Sequence, residues 1–331
     1  MTPEQLALRD SVRALLTKHS NVRAAIEEPD GYDTALWAKL CGEVGVAGLA
    51  IPEEHGGSGA GLAETHVVLA ELGRTLTPAP LLSSTLASQA VLATGNQKAC
   101  ARLLPRIAQG AVAALVWPWE AEIAGLTGTA HYVVDGDLAE VLLVVDGNSL
   151  YEVDPHQPGV TREHTPTMDL TRRLATVRLD HAQGHRLGPW DPEVRDLACA
   201  ALAAEQVGAA QRALELTVEH TKTRVQFGKP IGSFQALKHR MADLHALVET
   251  ARSAAGAATD EIGAAVAKVY CSEAFQEVAA EMIQLHGGIA ITWEHDAHLY
   301  FKRAHGSAQL FGSPQQHVTR LSRLRAASAG T

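Results

Sequence analysis

Apolar residues recur three and four positions apart through the first hundred residues: Leu6, Leu8, Val12, Leu15 and Leu16, then Leu36, Trp37 and Leu40, then Leu62, Val67, Val68, Leu69 and Leu72. That spacing predicts several amphipathic helices. Turn signals at residues 29–31, 51–61 and 77–80 divide them. From Ala111 the pattern shortens. Residues 111–117, 131–137, 140–154 and 174–180 are short apolar or alternating runs, which predict strands closed by Asp-Gly turns. The connections are too short for crossover helices, so the pairing is expected to be antiparallel. The helical period returns from Pro192 in long Ala-rich stretches over 193–222, 234–257, 260–286 and 293–311. The predicted class is α+β in three zones: a helical N-terminal domain at 1–111, a reduced β domain at 112–190, and a C-terminal four-helix bundle within 191–331.

Composition narrows the function classes. With 331 residues, 46% hydrophobic and 20% charged, the chain matches neither a disordered polymer nor a membrane protein. A formal charge of -9 argues against nucleic acid or an anionic membrane as the main partner. Any phosphate-bearing ligand must then be held by a few local cations. The N-terminus alternates charges with leucines and lacks an apolar secretory core, so a cytoplasmic protein is expected. Cys41, Cys100, Cys199 and Cys271 form no CxxC pair or zinc-type spacing and read as free thiols. His295 and His298 share a helical face but lack a third ligand, so no metal site is expected.

Three segments stand out. Gly56, Gly57, Gly59 and Gly61 lack both the GxGxxG spacing and a following lysine, and read as a structural loop. In His220–Asp243 a helix runs into Arg224, breaks at Phe227-Gly228-Lys229-Pro230, and restarts with Gln235 one turn in. There the Arg224 fork suits a diphosphate, Gln226 can bond phosphate or ribose, and Phe227 offers an apolar wall. A surface arginine beside an ordinary helix turn is the plain alternative. In Gln284–Gly288, two glycines at a helix end permit close approach to the backbone, and Gln284 and His286 supply hydrogen-bonding groups. Taken alone, this is a helix cap.

Together these segments resemble the acyl-CoA dehydrogenase family. RVQFGKPIGSFQALKHRMADL is similar to its RxxFGxxIxxFQ stretch, and QLHGGIAITWEH to its QxxGGxGxTxE stretch; AIPEEHGGSGAGLAE is a weaker N-terminal match. The resemblance implies a flavoprotein fold in which one subunit completes the FAD site of its neighbour. Arg224, Gln226 and Phe227 would face the FAD pyrophosphate and adenosine. Gln235, Gln284, Gly287 and Gly288, with His286 beside them, would approach the same cofactor across the dimer interface.

The chain also departs from that family. Family chemistry removes an acyl-CoA α-proton with a carboxylate while hydride passes to flavin. Counting from Arg303, the usual glutamate position is occupied by Gly312, and the alternative position falls near Ala198 or Cys199. Leu115–Gly125 lacks the family's Thr-Glu-Pro and Gly-Ser-Asp elements. These departures suggest a short subunit of a heteromeric α2β2 enzyme, as in bacterial steroid catabolism. Its expected partners are a second, catalytic acyl-CoA dehydrogenase chain, an acyl-CoA substrate and an electron-accepting flavoprotein. Two other readings stay open: a self-sufficient homomer using Glu205 or Glu294 as base, and a flavin-free scaffold.

Overall fold

The computed structural model describes residues 1–119 and 121–329, so Glu120, within the 115–125 segment, lies outside the described residues. The chain divides into two compact units, residues 1–69 with 77–198, and residues 70–76 with those from Cys199 on.

The first unit opens with helices α1 (Pro3–His19), α2 (Val22–Ala25), α3 (Thr34–Lys39) and α4 (Leu62–Thr75), whose last turn belongs to the second unit, then α5 (Leu81–Ala93) and α6 (Gln97–Ala108). Caps set several starts. Thr2 and Gln5 bond reciprocally at α1, Asp33 accepts from Ala35 and Leu36 at α3, and Asn96 accepts from Lys98 and Ala99 at α6.

Eight strands follow: β1 (Ala113–Val116), β2 (Ala121–Ala124), β3 (Thr127–Val134), β4 (Val141–Asp146), β5 (Ser149–Val153), β6 (Val160–His164), β7 (Leu174–Leu179) and β8 (Gly184–Pro189). They form two four-stranded sheets, in the orders β1-β4-β5-β8 and β2-β3-β7-β6. Ala114, Val116, Leu142, Val144, Val153 and Val177 are buried in one shared core.

Two details differ from the sequence reading. The pair β1–β4 is parallel, with Ala113 opposite Val141. The crossover is supplied by the β2–β3 hairpin, which pairs in the other sheet, so no helix is needed. Of the two Asp-Gly turns, Asp146-Gly147 closes the β4–β5 hairpin. Asp135-Gly136 does not close one, because β3 pairs with β2 and β7.

Asp135 carries a testable electrostatic cost. Its Oδ2 accepts a 2.6 Å bond from Ser83 Oγ. Burial nevertheless pushes its carboxyl up from 3.8 to about 6, over the opposing effects of Ser83, Arg172 and Arg173. The folded state therefore binds more protons than the unfolded chain between those values, and stability falls as pH rises through that window. Asp135→Asn keeps a partner for Ser83 and tolerates the left-handed φ of 52°. It is expected to raise stability at pH 8 by about 1–3 kcal/mol, with a smaller gain at pH 5. Calorimetric unfolding at both pH values checks this, and equal shifts at both would refute it.

The second unit consists of the end of α4, the helix α7 (Val194–Thr223) from Cys199 on, and the helices α8 (Gln235–Gly256), α9 (Glu261–His286) and α10 (Ala297–Gln309), followed by a fifth, α11 (Pro314–Ala329). A two-residue hairpin pair, β9 (Val225–Gln226) and β10 (Lys229–Pro230), separates α7 from α8. Ala203, Val207, Ala251, Ala267, Cys271 and Ala274 form part of the core. Such small residues let the helix axes come close. No helix among the described residues is long and apolar enough to cross a membrane.

Candidate functional site

The first predicted segment lies at the end of α7. The Arg224 N–H still bonds the His220 carbonyl at 2.9 Å, and the Ile231 N–H closes back on the Arg224 carbonyl at 2.8 Å. Between them β9 and β10 pair antiparallel, Gln226 opposite Lys229. The two turn residues, Phe227 and Gly228, have φ values of 52° and 76°. A two-residue hairpin with both φ positive is the type I′ geometry, which favours Asn-Gly. A phenylalanine in that conformation is strained by roughly 1–2 kcal/mol. Its ring is also 91% exposed, and its one described aromatic contact is an edge-on approach to Phe234 at 6.2 Å.

The Arg224 side chain is exposed and makes no hydrogen bond or ion pair among the described residues. Many other arginines of the chain are held by acidic groups, as Arg74 is by Glu215 and Arg240 by Glu281. Among the described residues the Gln226 side chain donates only to the neighbouring Val225 carbonyl, at 2.9 Å. Gln235 starts α8, exposed, behind Phe234, whose ring lies 4.3 Å below the Lys229 Nζ.

The second segment lies at the end of α9. Gln284 is exposed. Gly287 has φ 68° and ψ -150°, a combination essentially restricted to glycine. A Cβ added at Gly287 or Gly288 would point into open space. A short 3₁₀ turn, Gly287–Ile291, follows, leaving Ile291 and Trp293 exposed.

His286 is buried at the join. Its ring stacks on His220 at 4.2 Å and meets His295 at 4.6 Å. This stack was not anticipated from sequence, and it brings the Arg224 and Gly287–Gly288 segments together. Burial, with the two neighbouring imidazoles, lowers His286 to about 4, despite the Met282 carbonyl at 2.8 Å. Burial, then His295 and Arg224, also lowers His220.

The candidate base positions lie elsewhere in the second unit. Glu205 is buried on α7, with Oε1 3.6 Å from Nε of the buried Arg303. Glu294 is exposed in the turn before α10. Gly312 sits at φ 100° beside Phe311 at φ 62°. A Cβ added there would lie 3.0 Å from His317 Nε2, which bonds the Phe311 carbonyl at 3.0 Å and lies 3.8 Å from Cys199 Sγ. Among the described residues no group of His, Cys, Asp and Glu is arranged to hold a metal.

Residues 2–111 match the acyl-CoA dehydrogenase N-terminal domain and residues 197–323 the C-terminal domain. The acyl-CoA dehydrogenase IpdE2 of Mycolicibacterium smegmatis is 47% identical over 327 residues, covering 97% of this chain and 98% of the relative. This chain belongs to the acyl-CoA dehydrogenase family. Among solved structures, the Tcur3481-Tcur3483 steroid acyl-CoA dehydrogenase has 30% identity and a TM-score of 0.88, covering 99% of both chains. The ChsE4-ChsE5 complex of Mycobacterium tuberculosis has 27% identity and a TM-score of 0.89, covering 98% of both chains.

In this acyl-CoA dehydrogenase chain, the predicted contact residues lie in or beside two turns of a single unit, all exposed except the buried His286. Sequence reading missed the rings that pack on His286, those of His220 and His295, and the buried Lys268. The one available signal for His220 was its place a helical turn before Arg224.

Proposed function

We propose that this chain is a subunit of a heteromeric FAD-dependent acyl-CoA dehydrogenase, completing a cofactor site seated mainly on a partner chain. The observation that carries the reading is Arg224: an exposed, unengaged guanidinium on an acidic chain, beside the strained Phe227 and the open Gly287–Gly288 backbone. These groups fit FAD. A planar fork suits a diphosphate, Phe227 offers an apolar face, Gln226, Gln235 and Gln284 offer amides, and the glycines admit close approach. Bound FAD would supply the acceptor for the hydride leaving the acyl β-carbon.

The chain's own residues bind and orient; the proton-accepting carboxylate is assigned to the partner. Gly312 offers no side chain, Cys199 is buried, and Glu205 faces Arg303. A buried carboxylate committed to a buried arginine is poorly placed to take a substrate proton. Two of the similar structures pair two different chains, ChsE4 with ChsE5 and Tcur3481 with Tcur3483. One of those is a steroid enzyme, and by that likeness the acyl group is assigned to the steroid-derived class.

The test is expression alone and beside an acyl-CoA dehydrogenase chain that retains the glutamate and the Thr-Glu-Pro segment. Alone, the chain is expected to carry little flavin and no dehydrogenase activity; together, both appear. Arg224→Ala in the complex should weaken FAD binding by about 1.5–3 kcal/mol, the loss of a charged hydrogen bond. A yellow homomer that reduces an artificial acceptor with acyl-CoA would overturn the proposal.

A further inference from the structure

The imidazoles of His220, His286 and His295 form a titratable cluster that the proposed chemistry does not use. They come from three elements. His220 is on α7, one turn before Arg224, and its carbonyl takes the Arg224 N–H. His286 ends α9 and directly precedes Gly287. His295 lies in the turn before α10.

Hydrogen bonding fixes two of the protonation patterns. The Met282 carbonyl can only accept, so His286 Nδ1 carries a proton and donates at 2.8 Å. The Ala297 N–H can only donate, so His295 Nδ1 is bare and accepts at 3.1 Å. Each ring is thereby held in one orientation by a backbone hydrogen bond. The charged and titratable groups acting on the two shifted rings are His220 and Arg224 from α7 and His295 from the turn before α10. All are basic, so nothing among them favours a proton on the stack. Neutral rings at 4.2 and 4.6 Å can stay closed, whereas charged ones would repel.

We propose that the His220–His286–His295 stack is a clasp that locks the Arg224 hairpin and the Gly287–Gly288 turn into one surface. In it His286 is a positioning residue and not itself a cofactor contact. The clasp deepens the cofactor-completing reading above and rests on it for its use.

Hydrogen exchange of the full chain, without flavin, tests the clasp directly. His286→Ala should speed exchange of residues 224–231 and 287–292 together by about tenfold, the equivalent of one lost ring contact. His286→Phe keeps a plate and should restore both segments to within about threefold. His286→Asn keeps a donor for Met282 but no plate, and should restore neither. If Asn restores and Phe does not, or if residues 287–292 respond alone, the clasp is overturned. In the co-expressed complex, FAD retention should fall about tenfold for His286→Ala and recover in His286→Phe. Unchanged retention in Arg224→Ala would count against the cofactor reading alone, because the clasp is read from exchange in the absence of flavin.

Discussion

Lys268→Ala is expected to destabilise the C-terminal unit by about 3–5 kcal/mol, through a cavity and orphaned polar groups together. Lys268 is a fully buried side chain. Its Nζ donates to the Ala308 carbonyl at 2.8 Å, the Ser307 carbonyl at 3.3 Å and Ser272 Oγ at 3.2 Å. Three donors meet three acceptors, so the ammonium is satisfied without a carboxylate. Two of the acceptors are last-turn carbonyls of α10, where a positive charge is favoured by the helix dipole. Gln206 ties the same Ser272 to Ser307 Oγ, at 3.1 and 3.0 Å.

Burial still lowers the Lys268 ammonium from 10.5 to about 8. Between those values the unfolded chain binds more protons than the folded one, so stability from this group rises with pH across that window. Lys268→Met refills the volume but leaves both carbonyls unpaired, and should recover part of the loss. Denaturant unfolding of the three proteins at pH 7 and 9 checks both points. Lys268→Ala within about 1 kcal/mol of wild type would show that the network carries little stability.

The second large effect is expected at Arg303. Removing one partner of a buried ion pair strands the other, at a cost of about 3–5 kcal/mol. Arg303→Ala should therefore leave Glu205 buried without its 3.6 Å guanidinium partner. Glu205→Gln keeps the shape and an amide oxygen for the guanidinium but removes the charge facing the buried Arg303, so it should be destabilising as well. The pair also separates the two catalytic assignments. If Glu205 is structural, Glu205→Gln leaves turnover of the assembled enzyme intact while lowering its unfolding midpoint. Loss of turnover in a fully folded Glu205→Gln complex would restore Glu205 as the base.

Much of this was legible in the sequence because it rests on local period. The order helices, strands, helices follows from the change of hydrophobic spacing near residues 111 and 192, and the α7 break follows from Phe227-Gly228-Lys229-Pro230. The unread parts depend on residues far apart. Lys268 looks like any solvated lysine in an Ala-rich helix until Ser307 and Ala308 close over it. The parallel β1–β4 pair follows from which sheet the intervening hairpin joins, a choice no strand's own alternation records. The histidine stack unites three residues that the sequence offered separately, His295 beside His298 and His286 beside the glycine pair, with nothing to mark their meeting with His220. Exposure of Arg224, Phe227 and the glycine pair was legible, but not the strain at Phe227, which comes from a backbone angle.

The turn at 311–313 is built against an added side chain. Gly312 holds φ 100° with His317 Nε2 only 3.0 Å from where a Cβ would stand, beside a Phe311 that is itself left-handed. A single substitution that adds an acidic side chain there meets backbone strain and a displaced imidazole at once. Restoring a carboxylate at position 312 therefore takes more than one change, because the left-handed turn and the packing of His317 must yield with it.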